Sequence, residues 1–322
     1  MVTAEFPRRA LRALTLAAAA AMAVALGAQP RAAVAQAAVV GILEGQATLL
    51  RPTGKFELAE GVALHETDIV ETAAGAFVQI ELADGVRVGL GDSSRLMLSA
   101  AAAPADPNPA RLRLLQGWMK LTAPADKAAV GEFVTPRGSI GALAGTCVVN
   151  ADAAQFALFV ESGGITWVDR ALGAAPRAAK GGDFISARGT AALAFANRPA
   201  AEFVARLPRL FRDALPARAA KFRDRTVTPR SLGDVSYDDI ATWLQAEAAV
   251  RVPLIPTWRV RLADKAFREA VLTHLASHPE WRPLVIPPKP KPRPPEQPAI
   301  APRERASEPS PLPVASPASV PS

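Results

Sequence analysis

Between residues 38 and 198 apolar residues recur with a period of two. The runs are short, and Gly, Asp, Asn or Pro separates one from the next. A helix needs a period of 3.6, so this rhythm commits half the chain to strands with one face turned inward. Phe77-Val78-Gln79-Ile80-Glu81-Leu82 sets Val78, Ile80 and Leu82 on one face and Gln79 and Glu81 on the other. Ala83-Asp84-Gly85 follows, and the glycine of an Asp-Gly pair accepts positive φ without steric cost. Val86-Arg87-Val88-Gly89-Leu90 resumes the alternation, so the pattern predicts a hairpin over 77–90. Val39 to Leu50 reads as two strands around a glycine, and Arg95-Leu96-Met97-Leu98 as a strand after the turn at Gly91-Asp92-Ser93-Ser94. After a polar loop at 100–110, the run from Leu112 to Leu121 reads as two strands around Gly117. Phe133-Val134, Cys147-Val148-Val149, 156–160 and Ile165-Thr166-Trp167-Val168 bring the set to about a dozen short strands. Such spacing predicts a mainly β domain over 38–198, an antiparallel jelly-roll-like β sandwich.

Near Pro199 the period changes. Phe203, Leu207, Leu210, Phe211 and Leu215 recur at helical spacing, and Ser236 stands as an N-cap before Tyr237-Asp238-Asp239-Ile240. A third amphipathic run, Phe267 to Leu275, precedes Pro279. Tyr237, Ile240, Trp243, Leu244, Phe267, Val271, Leu272 and Leu275 would pack a small α-helical domain over 199–283. The last 40 residues hold 14 prolines. With so little to bury, 284–322 is expected to be a disordered, Pro-rich tail. At the other end, Arg8, Arg9 and Arg12, the apolar run 14–26 and Ala35-Gln36-Ala37 read as a cleavable signal peptide over 1–37. An uncleaved anchor is the alternative, against which the shortness of the apolar run argues. The expected location is periplasmic.

A single cysteine, Cys147, excludes an intrachain disulfide and a cysteine-built zinc or iron–sulfur site. Its neighbours Val148 and Val149 mark it as a small buried hydrophobe. His65 reads as a turn residue. His274 and His278 have the i, i+4 spacing of zinc helices, without a third ligand or an intervening glutamate. Ser93, Ser94, Ser186 and Ser231 have no histidine partner in any motif. The carboxylates Asp84, Asp92, Glu161 and Asp169 sit where turns already account for them. The chain is therefore read as a non-enzyme with no cofactor and no metal. Its most pronounced charge feature is 206–230, where eight basic residues face only Asp213 and Asp224. Arg206, Arg209, Arg212, Arg218, Lys221, Arg223 and Arg225 are the candidate interaction surface; a solvated helix face is the plainer reading. Nucleic acid is set aside, because the stretch has no aromatic set for stacking and the chain is read as exported.

Several ordered stretches resemble the FecR domain, a periplasmic module named for a ferric citrate signalling regulator. Thr67-Asp68-Ile69-Val70-Glu71-Thr72 with Ala74-Gly75-Ala76 is similar to its entry motif. Leu82-Ala83-Asp84-Gly85-Val86 is similar to its Asp-Gly hairpin, and Asp92-Ser93-Ser94-Arg95-Leu96 to the turn after it. Leu114-Leu115-Gln116-Gly117, Thr135-Pro136, Gly145-Thr146 and Val160-Glu161-Ser162-Gly163 complete the series over roughly 67–186. The family's arginine before Gly-Thr is Ala144 here, so any role of that arginine is not inherited. The resemblance implies a jelly-roll-like fold and an exported form of the family, without the anti-sigma segment and transmembrane helix of its membrane-anchored members. It points to a protein-interaction module in envelope signalling or organisation, with an envelope protein as partner. The alternative is a peptidoglycan- or glycan-binding protein, using Trp118, Trp167, Trp243, Trp258 or Trp281 as stacking platforms; an anionic lipid surface would also suit the basic stretch.

Overall fold

The computed structural model describes residues 37–99, 110–170 and 175–286. The signal peptide expected over 1–37 and the tail expected over 284–322 lie almost wholly outside them. Among the described residues the chain is mainly β, with a small helical region towards its C-terminal end. The strands are β1 (Ala38–Glu44), β2 (Ala47–Arg51), β3 (Gly54–Glu57), β4 (Ala63–Leu64), β5 (Ile69–Thr72), β6 (Phe77–Leu82), β7 (Arg87–Leu90), β8 (Arg95–Leu98) and β9 (Ala110–Thr122). They continue as β10 (Glu132–Val134), β11 (Gly138–Ala151), β12 (Gln155–Asp169), β13 (Arg177–Lys180), β14 (Phe184–Arg188), β15 (Ala194–Ala196) and β16 (Arg230–Gly233).

All belong to one hydrogen-bonded network. Its main path runs β15-β14-β12-β11-β10-β9-β8-β5-β2-β3-β16, and β1 joins β4 to β6, which pairs in turn with β7. The hairpin expected over 77–90 is present, with Val78 opposite Leu90, Glu81 opposite Arg87 and Gly85 at φ +90°. The sheet is mixed rather than purely antiparallel, since β9 and β10 run parallel.

Three strands are longer than the sequence pattern suggested, and for one reason. Glycines read as strand ends are bends inside continuous strands. Gly117, at φ +98°, turns β9 so that its first half pairs with β8 and β10 and its second half with β7 and β11. A Cβ at Gly117 would lie 2.4 Å from the Cα of Ser94, so only glycine allows this approach. The Ser94 hydroxyl fills the gap, accepting from Trp118 N at 2.8 Å and donating to Trp118 O at 3.1 Å. Gly145 and Gly163 face each other across β11 and β12, where shifts of register likewise bend the hairpin without ending it.

Alternate residues fill a core of Val40, Leu49, Val78, Ile80, Val88, Leu121, Phe133 and Trp167 among others, with Cys147 buried inside it. The opposite sheet face is also covered. Near Trp118 it carries Phe77, Val148, Phe184, Phe203 and Phe211, and near β5 it carries Leu50, Ile69 and Met97 beneath the helices. Residues on both faces of β6 are therefore buried, including Gln79 and Glu81, which alternation alone would have left in water.

The helices differ from expectation at several points. The helix expected from Phe203 to Leu215 stops early: α1 spans Ala201–Arg206, and Leu207 has ψ 126°. Pro208 is the cause, because its ring excludes the helical conformation from the preceding residue. From there to β16 the chain is an irregular strap with two 3₁₀ turns, at Arg209–Phe211 and Ala219–Phe222. Helix α2 (Tyr237–Leu244) begins at the expected Ser236, which with Asp239 forms a reciprocal capping box. Short helices α3 (Ala248–Arg251) and α4 (Ile255–Trp258) follow, then α5 (Lys265–Thr273), capped by Asp264 and ended at His274, well before Pro279. Leu272, expected in the core, is 39% exposed; Val250, Leu254, Trp258 and Trp281 are buried instead.

This helical cluster does not close on itself. It packs on Leu50, Ile69 and Met97 of the sheet, and polar bonds reinforce the seam. Lys55 Nζ meets Asp239 at 2.7 Å, and Trp243 Nε1 donates to Glu71 at 3.1 Å. Burial raises the Glu71 carboxyl above its ordinary range, while Arg95 and the Trp243 bond pull it back. The described residues up to Val285 cluster as one compact unit, so residue 198 marks a change of secondary structure and not a gap in packing.

Candidate functional site

The basic stretch lies on the strap, laid over the outer face of β6, β7, β9, β11 and β12. Its inward residues are apolar. Phe203 packs 5.3 Å from Trp118 and 5.2 Å from Phe184, and Phe211 sits edge-on to Phe77 at 6.1 Å and to Trp118 at 6.4 Å. Its backbone is tied down by side chains of the sheet. Arg87 donates to Leu215 O at 2.7 Å, Gln79 to Pro216 O at 2.9 Å, and Lys120 to Phe211 O. Glu81 accepts from Arg218 N at 2.6 Å and Ala219 N at 2.9 Å, one carboxylate oxygen for each. Further along, Val227 bridges Val62, and β16 adds itself to the edge of β3.

A buried carboxylate must be hydrogen-bonded to be tolerated. Glu81 is 5% exposed, and besides the two strap N–H groups it accepts from Gln79 Nε2 at 3.1 Å. Its place is made by Gly41, where β1 slips register against β6; a Cβ on that glycine would come 2.4 Å from Glu81 Oε1. Gln79 and Glu81 are the residues the sequence reading missed. Their position opposite the core gave no hint of a cover, and the only signal was a distant stretch too rich in Pro and Arg to form its own helix.

The seven candidate cations are not one cluster. Arg206 reaches the side-chain amide of Gln155, Arg209 pairs with Glu44 at 3.2 Å, and Arg218 lies 3.8 Å from Glu60. Arg212, Lys221, Arg223 and Arg225 are exposed and have no ion-pair partner among the described residues. Helical spacing would set Arg206, Arg209 and Asp213 on one side, but Arg206 ends α1 and the other two lie beyond the break at Pro208.

Below residues 210–215 the strap roofs a cavity of about 410 Å³. Its floor is two rows of side chains crossing the sheet. Gln79, Gly89 and Lys120 form one, and Arg87, Thr122 and Thr146 the other, which Glu81 continues outside the cavity. Lys120 pairs with Glu161 at 2.9 Å.

Elsewhere the candidate chemical groups are occupied in structural roles. Asp84 holds Arg111 through two bonds of 2.8 and 3.0 Å; burial works against its charge, but those bonds and the Arg111 charge keep its carboxyl below the ordinary range. His65 stacks its bonds with Arg51 and Asp68 into one knot beside β4. His278 is buried with Nε2 at 3.0 Å from Tyr237 Oη, while His274 stacks flat on the same tyrosine at 5.1 Å, so the two imidazoles flank a ring and do not converge on a shared point. Among the described residues no group of three His, Cys, Asp or Glu side chains is placed to hold a metal. All five tryptophans are buried in the core clusters; Trp118, 6% exposed, also lines a second cavity with Phe156, Phe184 and Phe203. Ala144, where the resembling family has arginine, is exposed.

No curated protein matches the chain. Two crystal structures of a candidate anti-sigma factor from Parabacteroides distasonis are similar over part of their length, at 16% and 15% identity with TM-scores of 0.35 and 0.34. The likeness covers 42% of this chain and 62–63% of those chains. The family comparison is more direct, and it falls on the strands that make the cavity floor and hold Glu81. Residues 68–166 match the model of the FecR family, described as FecR protein.

Proposed function

We propose that the protein is an exported, non-enzymatic interaction module of envelope signalling or organisation, in which the strap presents the FecR region to a partner with an acidic surface. The observation that carries this reading is the set Arg212, Lys221, Arg223 and Arg225, all exposed and without an ion-pair partner among the described residues, on a segment tied to the sheet by its backbone and its apolar side chains. Uncompensated charge of one sign raises the encounter rate with an oppositely charged partner and confers salt dependence. The periplasm is the compartment that suits the basic, apolar and small-residue order of 1–37. The strand network, buried on both faces, is read as a jelly-roll-like sandwich whose outer face the strap and helices cover.

Crosslinking in intact cells, followed by mass spectrometry, tests the reading. Reversal of Arg212, Lys221, Arg223 and Arg225 to Glu should remove the principal crosslinked protein while leaving the fold intact by circular dichroism. An unchanged crosslinked set overturns the strap as the contact surface. Loss of binding to anionic vesicles, with no protein partner at any stage, would replace a protein by a lipid surface.

A further inference from the structure

The cavity beneath the strap is of a size that holds small ligands, at about 410 Å³. Its two ends differ in chemistry. One is apolar, built by Phe77, Phe211 and Leu210. Gly89, between Gln79 and Lys120 in the cross-sheet row, lets the two rings settle on the sheet, since a Cβ there would come 3.2 Å from the Phe77 ring and 3.4 Å from the Phe211 ring. The other end is polar. Thr122 and Thr146 stand side by side with hydroxyls 3.5 Å apart, too far for a strong mutual bond, so both have hydrogen-bonding capacity left.

Charge decides the ligand class. Of the charged residues that line the cavity, Lys120 is matched by Glu161, and the exposed Arg212 and Asp213 carry opposite charges. Arg87 is unmatched: one guanidinium nitrogen bonds the Leu215 carbonyl, and no carboxylate lies within ion-pair distance among the described residues. Glu81 is its cross-strand neighbour, but that carboxylate is spent on the strap N–H groups. A half-buried guanidinium with unused donors matches a carboxylate in shape as well as charge. We propose that this cavity is a binding site for a small monocarboxylate with an apolar arm, its carboxylate on Arg87 and the threonine hydroxyls and its arm against Phe77 and Phe211.

Hexanoate and its neutral isostere hexanamide are suitable probes, titrated into the folded protein by calorimetry. Hexanoate should bind about tenfold more tightly or better, the worth of one charge-assisted contact. Arg87→Gln should abolish that preference. Because Arg87 also ties the strap, a second measurement uses the unaltered protein: hexanoate should shift the methyl NMR signals of Leu210 and Leu215, which line the cavity. Equal affinity for acid and amide, or methyl shifts confined to other leucines, overturns the site. These readouts need no protein partner, so they stand or fall separately from the surface role of the strap.

Discussion

Glu81→Ala separates a solvent-facing residue from a latch more sharply than any other change. By alternation alone Glu81 is a polar residue on the water side of a hairpin, where alanine would change stability by less than about 0.5 kcal/mol. In the structure it is buried and takes Arg218 N at 2.6 Å and Ala219 N at 2.9 Å. Removing the carboxylate strands two backbone donors and takes one of the two bonds of Gln79 Nε2, which keeps Pro216 O. Each buried donor left unmet costs about 1–3 kcal/mol, and water entering as the strap loosens recovers part of this. A net loss of about 2–4 kcal/mol is expected. Local opening sets its upper limit, because the strap can detach before the sheet unfolds. Hydrogen exchange read by mass spectrometry on peptides over 207–222 is the assay, beside urea unfolding. Protection in those peptides should fall about 30-fold or more, since each 1.4 kcal/mol is a factor of ten. Peptides from β11 and β12 should keep theirs. If Glu81→Ala leaves strap exchange and the urea midpoint unchanged, the strap is not held through this carboxylate and the account of the outer face is wrong.

Phe211→Ala should cost about 3 kcal/mol, because a fully buried ring packed on Phe77 and Trp118 is removed; urea unfolding and exchange over the strap measure it. Gly117→Ala should destabilise by about 2 kcal/mol or more, with no rescue from Ser94→Gly, since the collision is with the Ser94 backbone as well as its side chain. Glu71 has a folded-state pKa raised above 4.5, chiefly by burial, so its contribution is fully present below that value and is lost as pH rises through the folded pKa. Glu71→Gln, which keeps an acceptor for Trp243, should therefore flatten that decline in melting temperature above pH 4.5. Cys147 is buried, and burial first and Glu161 second push its thiol well above the ordinary range; it should resist a disulfide reagent in the native protein and react promptly in denaturant.

The strand alternation, the Asp-Gly hairpin and the Ser236 cap are all local signals, carried by a few adjacent residues, and each is visible in the sequence because nothing distant is needed to satisfy it. Gly117, Gly145 and Gly163 show where local reading stops. A glycine between two apolar runs has the same appearance whether the chain turns back or merely bends, and the choice rests on what stands opposite: Ser94 for the first, and each other for the other two. The broken helix at 207 could be read from Pro208, yet the spacing of Phe203, Leu207, Leu210 and Phe211 overrode it, because a strap that buries every third or fourth residue mimics helical periodicity. The FecR motifs were readable for the same reason as the hairpin. Glu81 was not, since its partners are backbone groups 137 and 138 residues away, which no side-chain pattern marks.

Those long-range bonds also constrain how a contact at the strap could be felt by the FecR stretch. The outward cations and the inward anchors alternate along the same residues: Arg212 follows the buried Phe211, and Arg218 offers its N–H to Glu81 while its side chain leans towards Glu60. A partner pulling on Arg212 therefore loads Phe211 and, through its carbonyl, Lys120; one pulling on Lys221 loads the turn held by Glu81. Both loads reach β6 and β9, inside the stretch that matches the family. The helices, by contrast, sit on β2, β5 and β8, and receive that load at second hand, through β8 and β5 beside β9 and through β16 on the β3 edge. A binding event at the basic surface is thus coupled first to the cavity floor and only secondarily to the helical cluster. Exchange in β6 and β7 should respond to strap variants before exchange in α2 and α5 does.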